Sequence, residues 1–326
     1  MSASKQQGSV RKGALTGRAA EDYLAGRLGF SLETLRPFPK WFLIETVNRC
    51  NARCVMCGID FKSKKTGTMP DALFEKIAAE IGQHAGHVEK VMLYLDGEPL
   101  MDKGLAGRIR TMKSVGVRNV NIASNASLMT AERARELIGA GLDEVYFTID
   151  SVRKERFEAI RRGLKFETVH DNIVNFIQLR NELKPDFMIR VQMIQQDLNR
   201  GDEEEFVEYW SRRLKPGDQV AVQKAHNWAS AVEVKRFGDE SEVNNYPCIA
   251  LWGTFVTHVD GEVGLCCMDS KDEVRLGNLN EQSITDLWTG PVMEKARQLH
   301  LGGRRHEIPI CDGCTLWRED KREIKG

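Results

Sequence analysis

Short apolar runs alternate with longer amphipathic segments over most of the chain. Six runs, rich in Val, Ile, Leu and Tyr, have the length and composition of buried parallel strands. They cover residues 41–47, 90–95, 119–123, 144–149, 188–192 and 219–223. Strands that alternate with helices predict right-handed βαβ units in an α/β partial barrel, with functional side chains at the carboxyl ends of the strands.

Helical segments separate these runs. One is predicted to begin at Thr68-Met69-Pro70-Asp71, and another begins after Thr130. The first repeats apolar residues at helical spacing, at Phe74, Ile77, Ala78 and Ile81.

The pattern changes beyond about residue 240. Residues 253–258 and 262–266 predict a β-hairpin around Val259-Asp260-Gly261. A helix follows with Ser283 as N-cap, and we expect it to continue past Gly290-Pro291 as far as Leu299. The predicted organisation is an N-terminal tail or helix (1–38), a barrel (39–235) and a small α+β domain (236–326).

Composition narrows the function. The 326 residues are 41% hydrophobic, which is enough for a sizeable core. The formal net charge is zero, so no overall electrostatic attraction to nucleic acid or an anionic membrane is expected. No run approaches eighteen apolar residues, so a membrane-spanning helix is not expected. The first eighteen residues are basic without an apolar core, unlike a signal peptide. These features favour a cytoplasmic protein with a small-molecule partner.

The eight cysteines fall into two groups. Cys50, Cys54 and Cys57 form C-x3-C-x2-C directly after the first predicted strand. The other five lie in the last eighty residues, at Cys248, Cys266, Cys267, Cys311 and Cys314. Three thiolates can hold a four-iron cluster and leave one iron for a small molecule. Scattered buried thiols would not cluster in this way, and a zinc site would account for Cys311 and Cys314 but not for the triplet.

These residues resemble the radical S-adenosylmethionine (radical SAM) superfamily, and in particular its members with a C-terminal SPASM or shorter twitch domain. The resemblance covers roughly residues 40–317. It implies a partial (β/α)6 radical SAM barrel with a small α+β iron–sulfur domain. It also implies that the cysteine triplet binds a [4Fe–4S] cluster whose fourth iron is chelated by S-adenosyl-L-methionine (SAM).

Other segments carry the same resemblance. Asp96-Gly97-Glu98-Pro99 is similar to the family's GGEP segment, with Asp96 in place of the first glycine, although Gly-Glu-Pro alone would suit an ordinary turn. Ser124-Asn125-Ala126 resembles a Thr-Asn-Gly segment, and Ile149-Asp150-Ser151 resembles Ser-Ile-Asp-Gly. The implied SAM contacts are Met56, Gly97, Glu98, Pro99, Ser124, Asn125, Asp150, Ser151, Arg161 and Gln192. Arg161 as a surface charge and Gln192 as a structural polar group are the alternatives.

The resemblance further implies one auxiliary [4Fe–4S] cluster held by Cys248, Cys266, Cys311 and Cys314, the twitch arrangement. Full ligation would make that cluster an electron carrier. Cys267 is then a spare thiol, either a small apolar residue under the hairpin or a hydrogen-atom donor.

The expected reaction begins with hydrogen abstraction from a carbohydrate or aminocyclitol by a 5′-deoxyadenosyl radical. Oxidation of a secondary alcohol to a ketone is favoured narrowly over epimerisation with Cys267 as donor. A peptide maturase is a further alternative, although only about forty residues precede the first strand. An iron–sulfur scaffold without catalysis would not need the SAM-type segments in barrel order.

The substrate rim is the least defined part of the predicted site. The candidates are Lys224, His226 and Trp228 after the sixth strand, with Asp60 after the cysteine triplet, and each of these is also compatible with an ordinary surface position. An external electron donor such as flavodoxin or ferredoxin is expected.

Overall fold

The computed structural model describes residues 13–59, 67–227, 246–270 and 273–314, and the backbone of 323–325. Its helices are α1 Gly17–Leu28, α2 Leu32–Leu35, α3 Asp71–Gln83, α4 Leu105–Ser114, α5 Ala131–Gly139, α6 Lys154–Ile160, α7 Phe166–Leu183, α8 Glu203–Ser211, α9 Ala250–Gly253, α10 Ile284–Trp288 and α11 Pro291–Leu301. Its strands are β1 Trp41–Ile44, β2 Arg53–Cys54, β3 Lys90–Met92, β4 Val120–Ser124, β5 Glu144–Thr148, β6 Arg161–Arg162, β7 Met188–Gln195, β8 Gln219–Lys224, β9 Thr254–Thr257, β10 Glu262–Gly264, β11 Arg275–Asn278 and β12 Glu323–Lys325.

The six predicted parallel strands are all present, as β1, β3, β4, β5, β7 and β8, and they are neighbours in that order. Their central aliphatic residues are buried and form one continuous core with the helices. The two predicted helix starts are also confirmed. Helix α3 follows Pro70 and buries the expected apolar face, and Thr130 caps α5 by accepting a hydrogen bond from the Arg133 amide.

The C-terminal hairpin joins the barrel sheet, which the sequence did not predict. Strands β9 and β10 pair antiparallel as expected, but β9 also lies parallel to β1, with Trp41 opposite Thr254 and Ile44 opposite Thr257. Phe42 and Phe255 pack across this pairing with ring centroids 5.7 Å apart. The sheet order is therefore β11-β10-β9-β1-β3-β4-β5-β7-β8-β12. The carboxyl ends of β9, β1 and β3 are consequently brought side by side.

The predicted helix from Ser283 to Leu299 is wrong in one respect, because it is two helices. Ser283 and Asp286 form the expected capping box for α10. Gly290 then adopts extended backbone (φ −69°, ψ 164°) as the N-cap of α11, whose first residue is Pro291. Proline lacks an amide donor and disfavours helical geometry in the residue before it, so a new helix begins there.

Two further expectations concern the chain as a whole. The predicted boundary at residues 235/236 lies outside the described residues and stays a prediction. Within the described part of the chain, no helix has the length and apolar character needed to span a bilayer.

Candidate active site

The cysteine triplet lies on a loop at the carboxyl end of β1. The two-residue strand β2 pairs antiparallel with β6, which sets Cys54 opposite Arg161. The Cys57 amide donates to the Cys54 carbonyl at 3.1 Å, and this bond tightens the loop. All three thiols are half-buried, and burial raises the pKa of Cys50 to about 11. Burial also raises the pKa of Cys57.

Glu98 is the anchor of a buried hydrogen-bond network beside this loop. Its carboxylate accepts hydrogen bonds from the Ser124 hydroxyl (2.7 Å), the Asn125 amide (2.8 Å) and the Leu100 amide (3.1 Å). Burial raises the pKa of Glu98, and these three donors oppose that shift. The Glu98 amide in turn donates to the Arg49 carbonyl at 2.8 Å. The network therefore ties the ends of β3 and β4 to the cysteine loop.

Gly97 and Ala126 show how closely the backbone packs here. A Cβ on Gly97 would overlap the backbone oxygen of Val47, so the residue between Asp96 and Glu98 has to be glycine. Ala126 is a non-glycine residue with positive φ (60°), and it stands where the family motif has glycine. The Ser124 hydroxyl supports this turn by accepting a hydrogen bond from the Ala126 amide at 2.9 Å.

Arg161 and Asp150 form a buried ion pair next to Cys54. The Arg161 Nε lies 2.5 Å from Asp150 Oδ2, and Nη1 lies 3.5 Å from the Cys54 Sγ. Burial alone would lower the pKa of Arg161, but Asp150 and Cys54 outweigh it and raise that pKa. Asp150 Oδ1 also accepts from the Ile194 amide at 2.8 Å. Arg161 is therefore a fixed buried cation at the cysteine loop and not a solvated surface charge.

The remaining predicted SAM contacts occupy different surroundings. Met56 is part of the cysteine loop and is buried. Pro99 is also buried, and a short 3-10 turn begins at this residue. The Ser151 hydroxyl accepts from the Arg153 amide (3.0 Å) and donates to Asp202 (3.4 Å), so it also stabilises the turn that follows β5. Gln192 is half-buried on β7, opposite Thr148. Their roles toward SAM stay predictions.

The C-terminal cysteines converge into one electrostatic group. Burial raises the pKa of Cys311 to about 12, and the neighbouring Cys248 and Cys314 add to the shift. Burial with Cys267, Cys311 and Cys248 nearby raises the pKa of Cys266 well above its usual value. Cys267 belongs to the same group, since burial and then Cys248 and Cys314 raise its pKa to about 12.

Two buried basic residues that the sequence analysis missed hold this group in place. The His300 Nδ1 accepts a hydrogen bond from the Cys248 amide at 3.0 Å, and burial lowers the pKa of His300 to about 3. The Arg305 guanidinium donates to the carbonyls of Cys311 (3.0 Å) and Cys314 (3.2 Å). Their partners are backbone atoms, which leave no pattern in the sequence.

The predicted substrate rim is only partly described. Lys224 ends β8 with an exposed side chain. His226 is half-buried, and burial lowers its pKa to about 4. The Asn227 amide group donates to the Gly313 carbonyl at 2.8 Å, so this loop contacts the segment between Cys311 and Cys314. Trp228 and Asp60 lie outside the described residues.

Comparison with known families agrees with this geometry. The model of the radical SAM superfamily matches residues 44–188, and that of the SPASM iron–sulfur cluster-binding domain matches residues 248–315. The chain carries a radical SAM domain and a C-terminal SPASM domain. The predicted family, the α/β fold class and the iron–sulfur character of the C-terminal region are therefore confirmed.

Curated relatives of this radical SAM protein match it over one region. A GTP 3′,8-cyclase of Peptoclostridium acidaminophilum is 33% identical over 137 residues, and that of Heliobacterium modesticaldum is 30% identical over 133 residues. In both cases the match covers 40% of this chain and 40% of the relative. The likeness thus extends over about two-fifths of these relatives.

Solved structures share the fold over more of the chain. BtrN in complex with AdoMet and 2-DOIA superposes with a TM-score of 0.57 and 17% identity, covering 85% of this chain and 93% of BtrN. Streptococcus suis SuiB bound to precursor peptide SuiA superposes with a TM-score of 0.66 and 14% identity, covering 85% of this chain and 70% of SuiB. For AdoMet-bound anSMEcpe the TM-score is 0.61 and the identity 15%, covering 87% of this chain and 88% of anSMEcpe. At these identities the likeness concerns the fold alone.

The radical SAM domain implies SAM and a [4Fe–4S] cluster, and the SPASM domain implies further iron–sulfur ligation. The residues fit both groups. No disulfide joins the described cysteines, so their sulfurs remain available as ligands. Cys50, Cys54 and Cys57 share one loop. Grouped buried thiols with raised pKa values are costly as thiolates unless a metal compensates their charge.

Proposed function

We propose that this protein is a radical SAM oxidoreductase that converts a secondary alcohol of a small polar metabolite, of the carbohydrate or aminocyclitol type, into a ketone. When bound, the clusters and SAM supply a hydrogen-abstracting 5′-deoxyadenosyl radical and a one-electron acceptor. Oxidation of the alcohol to the ketone removes one hydrogen atom from the carbon, one proton from the hydroxyl and one further electron from the substrate.

The chain's own residues would hold SAM at the end of the barrel. Cys50, Cys54 and Cys57 would ligate three irons of the first cluster and leave the fourth for SAM. The backbone around Gly97 and the carboxylate of Glu98 line the segment that receives the SAM amino group in the family. Arg161, a buried cation beside Cys54, suits the SAM carboxylate.

The observation that carries oxidation is the complete second set of cysteines. Burial raises the pKa values of Cys248, Cys266 and Cys311, and nearby thiols of the same set add to each shift. Cys314 contributes to those of Cys248 and Cys311, so the four cysteines lie close together. Four protein thiolates would saturate a [4Fe–4S] cluster, so substrate could not bind its iron and electron transfer is the remaining role. His226 is neutral near pH 7, since its pKa is about 4, and an unprotonated imidazole can accept the hydroxyl proton.

The test is a substrate panel under anaerobic, reducing conditions. Reconstituted protein with SAM and dithionite is offered nucleotide sugars, aminoglycosides and aminocyclitols, and products are read by mass. We expect 5′-deoxyadenosine and a product two mass units lighter than its substrate. Absence of 5′-deoxyadenosine with every reductant and substrate would contradict radical chemistry altogether.

Epimerisation is the second candidate, and one observation favours it. Burial, with Cys248 and Cys314 nearby, raises the pKa of Cys267 to about 12, so its sulfur keeps a proton near neutral pH, as a hydrogen-atom donor requires. Cys267→Ala separates the two reactions. Oxidation would continue in this variant, whereas inversion would stop. In deuterated water an inverted product would carry one deuterium at the reacting carbon, because a thiol exchanges its hydrogen with solvent, whereas a ketone would carry none there.

A further inference from the structure

Three polar side chains meet at the carboxyl ends of the adjacent strands β9, β1 and β3. Glu45 follows β1, Asp96 follows β3 and His258 follows β9. One ligand atom from each lies within 4.8 Å of the other two. All three residues are buried, with 1%, 3% and 5% of their surfaces exposed, respectively.

The meeting results from the unpredicted pairing of β9 with β1. The Glu45 amide donates to the Thr257 carbonyl at 2.9 Å, which continues the parallel pairing past the end of β1. His258 is the next residue after that carbonyl, so it is held beside Glu45. On the other side of β1, Asp96 immediately precedes Gly97, whose backbone is packed against Val47. The backbone therefore fixes all three positions.

Only one of the two Glu45 carboxylate oxygens has a hydrogen-bond partner among the described residues. Its Oε2 accepts from the Val259 amide at 3.1 Å and lies 3.3 Å from His258 Nδ1. Its Oε1 is buried, and in the structure described here it has no hydrogen-bond partner. A buried carboxylate oxygen without a donor is unfavourable, and a second carboxylate close by adds like-charge repulsion. Both problems are removed by a cation bound between the groups.

We propose that Glu45, Asp96 and His258 form a site for a divalent first-row metal ion, separate from both cysteine groups. One imidazole nitrogen and two carboxylate oxygens are the donor types that Mn²⁺, Fe²⁺ and Zn²⁺ accept. Three protein ligands leave coordination positions open, as in catalytic metal sites. The site explains why an aspartate stands at position 96, where the family segment has glycine.

The position of the site relates it to the barrel chemistry. Burial is the main cause of the raised pKa values of Cys57 and Cys267, and the Asp96 carboxylate makes a smaller contribution to both, so Asp96 lies near both cysteine groups. A metal ion there would present its open positions to a substrate held between the two cysteine groups, and hydroxyl or carboxylate oxygens are the groups it would bind. This substrate role rests on the proposed function, whereas the metal site does not.

Metal binding is tested with Mn²⁺ alone, which is visible by electron paramagnetic resonance and prefers oxygen and imidazole to thiolate. Full-length protein with both clusters loaded is cleared of loosely bound metal with EDTA, desalted anaerobically and titrated. We expect one Mn²⁺ per chain and at least tenfold weaker binding in Glu45→Gln and Asp96→Asn. Glu262→Gln, on the neighbouring hairpin strand β10, is the matched control and should bind as the parent does.

Two outcomes would overturn the site. One is absence of Mn²⁺ binding by the parent protein, and the other is unchanged affinity in both variants. If Glu45→Gln does not fold, Asp96→Gly restores the glycine of the family segment and should keep the cluster spectra while it loses Mn²⁺. Formation of 5′-deoxyadenosine is measured separately in the parent protein, so failure of the metal site and failure of the proposed function remain distinguishable.

Discussion

The two cysteine groups are built in opposite ways. The N-terminal group lies on one short loop, and its support comes from side chains on separate strands, with Glu98, Ser124 and Arg161 converging on it. The C-terminal group is spread between Cys248 and Cys314, and its support comes from basic side chains bound to backbone atoms. The first arrangement brings polar side chains from several strands to one loop, whereas the second is held through contacts to its backbone, and the cysteines of both groups are half-buried.

Electrostatics follow the same division. At the N-terminal group the pKa of Cys50 is about 11, and the fixed cation Arg161 lies beside Cys54. At the C-terminal group the pKa values of Cys267 and Cys311 reach about 12, and the pKa of Cys266 is also raised well above normal. Since thiolates are the metal ligands, each of these thiols has to lose a proton when a cluster binds, and the free-energy cost of that step is larger where the pKa is higher.

The largest expected effect comes from removing one cysteine of each group. Cys54→Ser should reduce 5′-deoxyadenosine formation to background and leave the auxiliary cluster in place. Cys311→Ser should keep SAM binding but lose the auxiliary cluster and the ketone product. Iron content, cluster spectra and 5′-deoxyadenosine are measured on both variants. If Cys311→Ser alone abolished SAM cleavage and Cys54→Ser did not, the roles of the two groups would be reversed.

Glu98→Gln tests the side-chain network of the N-terminal group. The substitution keeps the shape but removes the charge and turns one acceptor into a donor that faces the Ser124, Asn125 or Leu100 donors. Loss of a charge-assisted hydrogen bond of about 1.5–3 kcal/mol predicts roughly 10- to 150-fold weaker SAM binding. Equilibrium dialysis with unreduced protein measures it. Glu136→Gln, at a half-exposed pair with Arg133, is the control and should change little.

Arg305→Lys tests the backbone support of the C-terminal group. The Arg305 Nη2 donates to the carbonyls of both Cys311 and Cys314, and Nη1 donates to that of Tyr246. Lysine has a single nitrogen in place of this planar fork, so it cannot supply all three hydrogen bonds. We expect about 2 kcal/mol lower free energy of unfolding and reduced retention of the auxiliary cluster. Denaturation and iron analysis of the reconstituted protein give both values. Arg304→Lys is the matched neighbour, since Arg304 pairs with Glu307 on the surface, and an equal loss there would refute the argument.

Some features of the two cysteine groups depend only on local sequence, and these could be predicted. The parallel strands and the position of the cysteine loop after β1 were predictable because strand periodicity and the spacing from Cys50 to Cys57 are local properties of the chain. Glu98 and Asn125 were predicted from the resemblance of Asp96-Gly97-Glu98-Pro99 and Ser124-Asn125-Ala126 to family segments, and both lie in loops that follow neighbouring strands of the barrel, β3 and β4. Their mutual contacts then follow from the parallel order of strands.

Other features depend on contacts between distant parts of the chain. Nothing in residues 254–257 indicates that they pair with β1, because a short apolar strand has many acceptable neighbours. His300 lies 52 residues from Cys248, and its partner there is a backbone amide. The meeting of Glu45 with His258 likewise exists only after β9 is placed. Single polar residues of this kind have no periodicity, so the sequence pattern does not reveal them.

The smallest expected effect lies at Ala126, where the N-terminal site departs from the family segment without loss of the fold. A left-handed conformation costs an alanine about 1–2 kcal/mol, which glycine avoids at the expense of a more flexible unfolded chain. Ala126 is also fully buried, so burial of its methyl group offsets part of this conformational cost. We expect Ala126→Gly to raise the free energy of unfolding by about 0.5 kcal/mol. Thermal unfolding measures it, with Ala134→Gly in helix α5 as a control that should be destabilised by about 1 kcal/mol. Equal destabilisation of both variants would mean that the left-handed turn carries no strain.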